Sequence, residues 1–204
     1  DFPAYAMTRT EMERGMAAPL LATLLYQHLR RAVAEAASPG KGAAYTYGMA
    51  PSAIEKLFRE RPAGWFADYD ELLVREFADA VDEGKRMQGR DPNKWDYGRY
   101  NQAAIEHPVG GGLPLIGRYF NVGRVPMSGS ATTVKQTASR LGPSMRMVVD
   151  LGELDRSLQN ITIGQSGQFL SPHYKDQWKA YDAGTSFPMQ FGKIDAKDVL
   201  TFTP

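Results

Sequence analysis

The chain has 204 residues, 43% hydrophobic and 23% charged, enough to bury a real core in one or two domains. A formal net charge of +1, with acids and bases interspersed, leaves no electrostatic footprint for nucleic acid, an anionic membrane surface or an acidic substrate. The absence of cysteine excludes disulfides, thiol catalysis and cysteine–zinc sites.

The chain opens on Asp1–Phe2–Pro3 with no charged-then-apolar leader, which reads as a chain cut from something longer. Thr10 with Glu13 has capping-box spacing, and Pro19 fits best as the first residue of a new helix or as a kink. From there Leu20, Leu21, Leu24, Leu25 and Leu29 recur at helical spacing. Arg30 and Arg31 follow near the C-terminal end, and Ser38–Pro39–Gly40 closes the unit. Ser52 and Glu55 repeat the box after Pro51, which predicts a short helix from Pro51 to about Glu60, broken by Pro62–Ala63–Gly64. Asp68 with Glu71 starts a third helix carried by Leu72, Leu73, Phe77, Ala80 and Val81. Lys85 and Arg86 complement its dipole, and Gly89 with Pro92 stops it.

Past Asp91 glycines multiply and the periodicity shortens. Tyr100–Val109 and Leu113–Phe120, flanking Gly110–Gly111–Gly112, read as two extended segments joined by a turn. Met145, Met147 and Val149 alternate with Arg146, Val148 and Asp150 as in a strand. Ser157–Ile163 reads as a second strand, and the short Asp150–Arg156 connection makes the two an antiparallel hairpin. Ser171 caps a final helix that has Pro172 at its first position, Tyr174, Trp178 and Tyr181 along one side, and Gly184 at its end. Phe187–Phe191 and Val199–Phe202 are candidate closing strands. No stretch is apolar for long enough to span a membrane. The expected fold is α+β: a mainly helical segment over 1–91, then a segment rich in antiparallel strands, with one late helix, over 92–204.

The three histidines, His28, His107 and His173, have no second histidine at i+3 or i+4, so a metal site needs distant residues to converge. His28 reads as a packed or edge histidine and His173 as a first-turn residue with a capping or supporting role. Glu106 and His107 are neighbours on an extended segment and point to opposite faces. Gly110–Gly112 and Gly164–Gln165–Ser166–Gly167 match neither G-x-G-x-x-G nor a P-loop, and Ser166 lacks the second glycine of G-x-S-x-G. Arg146 and Asp150 fall on one strand face and suggest a structural ion pair. Trp65, Phe66, Trp95, Tyr97 and Tyr100 are aromatic enough to stack a sugar or base but read better as buried. Asn160 has the chemistry of an oxyanion donor and reads as a sheet or turn amide. Spacing alone therefore assigns no catalytic, cofactor-binding or metal-binding residue.

Three blocks in order resemble one family. They are Asp91–Pro92–Asn93–Lys94–Trp95–Asp96–Tyr97–Gly98 with His107–Pro108 after it, then Gly142–Pro143–Ser144–Met145–Arg146–Met147–Val148–Val149–Asp150–Leu151. The third is Gly164–Gln165–Ser166–Gly167 with Ser171–Pro172–His173–Tyr174 and Asp176–Gln177. Together they are similar to the C-terminal part of the β chain of penicillin acylases (penicillin amidases), which are N-terminal-nucleophile hydrolases. The resemblance implies a piece of an α/β/β/α sandwich, with both segments part of one larger hydrolase domain. It also implies a precursor matured by self-cleavage at a Gly–Ser bond. The reaction it implies is amide hydrolysis through an acyl-enzyme. The first serine of the β chain attacks, its own α-amino group is the base, and an asparagine with backbone N–H groups holds the oxyanion.

Asp1 is not a nucleophile, and Gly129–Ser130 lies inside the matching region, so neither carries the family's processing site. The family's oxyanion asparagine, calcium ligands and most pocket residues lie upstream of the matched portion, and no catalytic residue is carried over. What the resemblance implies is the C-terminal portion of an amidohydrolase, inactive alone, partnered by the upstream α chain and the start of the β chain. Calcium belongs to the parent enzyme and the location is periplasmic or secreted. A piece lacking its covering portion is expected to self-associate through exposed edges. The alternative is a non-catalytic binding or scaffold module that reuses this part of the fold.

Overall fold

A computed structural model describes residues 12–40, 51–131, 133, 135–139, 142–192 and 194. The chain is α+β and falls into two compact units, Asp1–Gly142 and Pro143–Pro204. The change of character at Asp91 lies inside the first unit.

The first unit is built on three helices: α1 (Ala17–Ala37), α2 (Pro51–Glu60) and α3 (Tyr69–Gln88). Leu20, Leu24 and Leu29 on α1 are wholly buried against Ile54 and Phe58 of α2 and Tyr69 and Leu72 of α3. Each such side chain contributes about 1.5–3 kcal/mol of transfer free energy. Pro19 is the third residue of α1 rather than its first, a position where the N–H it lacks has no intrahelical partner. The helix runs on to Ala37, so Arg30 and Arg31 sit short of its last turn. Glu13 is not helical: its carboxylate accepts a 2.8 Å hydrogen bond from Ser128 Oγ. Thr10 and the box it suggested lie outside the described residues.

Asp68 caps α3 as its spacing predicts, Oδ1 accepting from Asp70 N at 2.8 Å and Glu71 N at 3.0 Å. Gly89 ends the helix at φ 95°. The buried face differs from the expected one. It runs Tyr69, Leu72, Glu76, Ala80 and Gly84, and leaves Phe77 45% exposed. Gly84 is on this face because the Trp95 ring occupies the space a Cβ would need, 2.6 Å away. Trp95 is itself anchored by Nε1 donating to Gly89 O at 2.8 Å.

After a 3₁₀ turn at Pro92–Lys94 and a short helix α4 (Tyr97–Tyr100), β1 (Gln102–Ile105) pairs antiparallel with β2 (Gly123–Pro126). The expected partner, Leu113–Phe120, is not extended. It contains the helical turn α5 (Gly117–Phe120), and Gly110–Gly112 is a 3₁₀ turn. Two side chains impose this. Asn121 accepts from His107 N (2.8 Å) and donates to Gly111 O (3.1 Å), while His107 Nδ1 accepts from the N–H groups of Val109 and Gly110. The loop between the strands is thereby folded on itself, and pairing moves past it to β2.

In the second unit β3 (Met145–Val148) and β4 (Leu158–Ile161) form the expected antiparallel hairpin, with Arg146 opposite Asn160. The connection is shaped by Asp150, whose Oδ1 accepts from Gly152 N and Glu153 N while its own N–H donates to the buried Ser157 Oγ. The short β5 (Phe187–Pro188) adds to β4, leaving β3 at the edge, and the order is β3–β4–β5. Only these two residues of the expected Phe187–Phe191 strand pair, and Val199–Phe202 lies outside the described residues. The late helix is split. Ser171 Oγ caps a single 3₁₀ turn, Pro172–Tyr174, and α6 (Trp178–Ala183) starts afresh. The break serves the sheet: Gln177 donates its backbone N–H to Ile163 O, and its side chain accepts from Ile161 N, both at 2.8 Å.

Asp155 ties the end of this unit down, its Oδ1 accepting from Phe191 N (2.7 Å) and Gly192 N (3.0 Å). The Gly192 N–H, then that of Phe191, hold its carboxyl below the ordinary 3.8. Its folded value is depressed, so the anchor is complete above pH 3.8 and is lost as pH falls through the lowered value. An NMR titration is expected to show the Phe191 and Gly192 amides moving together below pH 3.8, and to lose that transition in Asp155→Asn.

Candidate functional site

Among the acids of α3, Glu76, Asp79 and Glu83 stand at i, i+3 and i+7, a spacing that puts them along one side of a helix. His28, a half-buried residue of α1, faces them. Its Nε2 lies 2.8 Å from Glu83 Oε2, and its Nδ1 lies 3.5 Å from Glu76 Oε2. Glu76 is nearly buried, and its other oxygen accepts from the Arg75 guanidinium (Nη2 at 3.0 Å). Asp79 is exposed and makes no hydrogen bond or ion pair among the described residues. One ligand atom each from His28, Glu76 and Asp79 lies within 4.8 Å of the others. Beside the group is a cavity of about 690 Å³ walled by Phe66 and Leu72 and rimmed by Arg31, Glu35 and Arg75.

This seam joins residues 48 or more positions apart in the chain, so it meets the condition of distant convergence that the histidine spacing set. Its chemistry is that of holding a proton or a cation between an imidazole and carboxylates. An imidazole among the donors does not suit calcium, which takes an oxygen set, so the seam does not fit the ion expected of the parent enzyme. One signal was readable in sequence: Glu76 is an acid on the same helical face as Leu72 and Ala80, where an unpaired charge is costly.

The remaining candidates sit in turn, sheet and ion-pair contacts of their own units. His107 spends Nδ1 on two backbone N–H groups. His173 Nδ1 pairs with Asp176 at 2.9 Å, but its Nε2 meets no hydroxyl among the described residues. Ser166 Oγ accepts from Gln168 N, an Ser/Thr-type turn and not a nucleophile's environment. Ser130 is buried, its N–H donating to Thr133 Oγ1 at 2.8 Å. Asn160 is 1% exposed, and its Oδ1 accepts from Ser186 Oγ at 3.0 Å, a sheet amide.

The Arg146–Asp150 pair does not form. Arg146 lies over the Tyr181 ring, 3.9 Å from its centroid, and donates to Tyr181 O, while Asp150 faces Arg156 Nε at 3.6 Å. The strand ends at Val148, and Asp150 turns into the connection. Of the aromatics, Trp95 and Tyr97 are buried, Phe66 and Tyr100 half-buried, and Trp65 is 40% exposed.

The described residues form an α+β scaffold with two small antiparallel sheets and show no nucleophile–base pair. The comparisons say which scaffold: the penicillin amidase family model matches residues 9–198, and the chain belongs to that family. Among curated proteins it is similar to the acyl-homoserine lactone acylase QuiP of Pseudomonas syringae pv. syringae, 30% identical over 152 residues, covering 67% of this chain and 18% of that protein. The same-named proteins of Pseudomonas aeruginosa (30% over 161 residues; 67% and 19%) and Pseudomonas putida (31% over 151 residues; 67% and 18%) are similarly related. The match spans less than a fifth of the length of these relatives.

Proposed function

We infer that this chain is the C-terminal portion of the β chain of a penicillin-acylase-type amide hydrolase and is inactive without the portion upstream. The observation that carries this reading is the family match over residues 9–198 together with relatives some five times longer than the matched stretch. The relatives' shared name favours an N-acylated homoserine lactone as the amide cleaved. In the whole enzyme the upstream serine attacks the carbonyl, its α-amino group takes the proton, and water releases the acyl group. This chain supplies strands and an outer helical layer to the sandwich. Calcium, where the enzyme holds it, is bound upstream, and the enzyme is periplasmic or secreted.

The second unit supports the partnership. β3 is an edge strand with Met145, Met147 and Val148 all about half exposed or more, and Phe187 is exposed on β5. An apolar edge of this kind invites pairing with another chain. The occupant proposed is the upstream part of the same precursor. In its absence the piece pairs with itself, as sedimentation of the isolated chain would register.

The test is hydrolysis of an N-acyl homoserine lactone and of a phenylacetyl anilide, by this chain alone and after co-refolding with the upstream portion. Turnover in the mixture only is expected. Turnover by the chain alone overturns the reading. A co-refolded complex without turnover on either substrate supports the scaffold alternative instead.

A further inference from the structure

We propose that the α1–α3 seam is a binding site for a first-row divalent transition metal of the zinc type, with His28 Nδ1, Glu76 and Asp79 as ligands and Glu83 as the residue that orients the histidine. Three observations on this seam lead to it. First, Glu83 accepts the Nε2 proton of His28 at 2.8 Å. In the neutral ring this leaves the lone pair on Nδ1, facing Glu76 Oε2 at 3.5 Å. Two acceptors then face one another with no proton between them, a repulsive contact that a cation turns into an attractive one. Second, the separation suits a metal. Zinc bonds of 2.0–2.2 Å to nitrogen and oxygen give a tetrahedral ligand–ligand edge of roughly 3.4 Å, which is close to the gap present. Third, Asp79 has no other partner among the described residues and its ligand atom already lies within 4.8 Å of the other two. Rotation of an exposed side chain closes that distance without moving a helix.

The arrangement of carboxylate, histidine and metal is the usual way a protein fixes the tautomer and direction of a ligating imidazole. Three protein ligands leave a fourth position towards the solvent and the neighbouring cavity. One nitrogen with carboxylate oxygens favours zinc or a similar ion over magnesium and calcium, which take all-oxygen shells. A bound ion would add a cross-link between two helices already joined by the leucine stripe and the His28–Glu83 bond. The site lies wholly within the first unit and does not depend on the amide-hydrolase reading, so either can fail alone.

Titration of the full chain with zinc chloride, followed by calorimetry and by thermal unfolding, tests the assignment. One zinc per chain and a rise in Tm are expected for the wild type, with no competition from excess calcium. Asp79→Asn is exposed and should leave the metal-free Tm unchanged, yet weaken zinc binding at least about tenfold. Glu83→Gln should weaken it about 10–100-fold, the usual range for a residue that orients a ligand. His28→Gln should abolish it. No saturable zinc binding by the wild type, or binding of equal strength in Asp79→Asn and His28→Gln, overturns the proposal. The seam is then only a polar contact between two helices, and any zinc sits elsewhere.

Discussion

Gly129→Ala is expected to lower the stability of the first unit by about 3–5 kcal/mol, measured by urea unfolding of the full chain. Gly129 sits at φ 91°, in the left-handed region, and a Cβ there would stand 2.0 Å from Lys135 O. The dihedral alone costs a side-chain-bearing residue about 1–2 kcal/mol. Relieving the clash adds about 1–3 kcal/mol, because the atom met is backbone and cannot swing away. Any shift also strains the bonds the Gly129 carbonyl accepts from its two buried donors, Tyr97 Oη at 2.7 Å and Asn101 Nδ2 at 3.0 Å, which sets the loss towards the upper end of those two costs together. Gly40→Ala is the control, since Gly40 has φ 74° but nothing within 4 Å, and it should cost only the dihedral. Equal losses in the two variants would show that packing around Gly129 matters less than these contacts say. The same contacts describe the Gly129–Ser130 peptide as a buried tie between α4, the residues after β2 and Thr137.

The helices of the first unit were legible because their signals are local. Pro51, the Asp68 cap, Gly89 and Ser38–Pro39–Gly40 each act within a turn of where they stand. Burial on α3 was not. Leu72 and Ala80 belong to the expected stripe and are buried, but Glu76 and Gly84 compete with Leu73, Phe77 and Val81 for the rest of it, and sequence favours the more apolar residues. The structure turns Glu76 and Gly84 inward and leaves Phe77 out, because Trp95 packs on Gly84 and His28 meets Glu76. Strand pairing failed where two side chains decided it. Asn121 and His107 fold the intervening loop by hydrogen bonds that apolar periodicity does not register. The seam at His28 was invisible for a similar reason. Its ligands are on two helices, and only the i, i+3, i+7 acids leave a mark within one of them. The family blocks were legible as blocks, but their roles were not: in Gly164–Gln165–Ser166–Gly167 the hydroxyl drew attention, and a glycine beside it bears the constraint.

Within that motif the largest effect is expected at Gly164. Gly164→Ala should destabilise the second unit by about 3 kcal/mol or more, since its Cβ would lie 2.1 Å from His173 O and 2.8 Å from Tyr174 O, both backbone atoms. Those carbonyls belong to the 3₁₀ turn that Ser171 caps, and His173 O also accepts from Ser166 N at 3.2 Å. Pushing the turn away would break that bond. It would also disturb Gln177, which fastens the start of α6 to β4. Gly167→Ala, with nothing within 4 Å of its Cβ, should change stability by less than about 1 kcal/mol. Ser166→Ala removes one hydrogen bond at an exposed turn, the one from Gln168 N at 3.1 Å, and should cost about 1 kcal/mol or less. In the co-refolded enzyme the same ordering should hold for activity. Gly164→Ala should lose it with the fold, while Gly167→Ala and Ser166→Ala keep kcat within about threefold, under 1 kcal/mol in the barrier. A Ser166→Ala enzyme that folds normally but has lost its turnover would make Ser166 a reacting group. The motif would then be part of the chemistry, and not the joint that holds the late helix against the sheet.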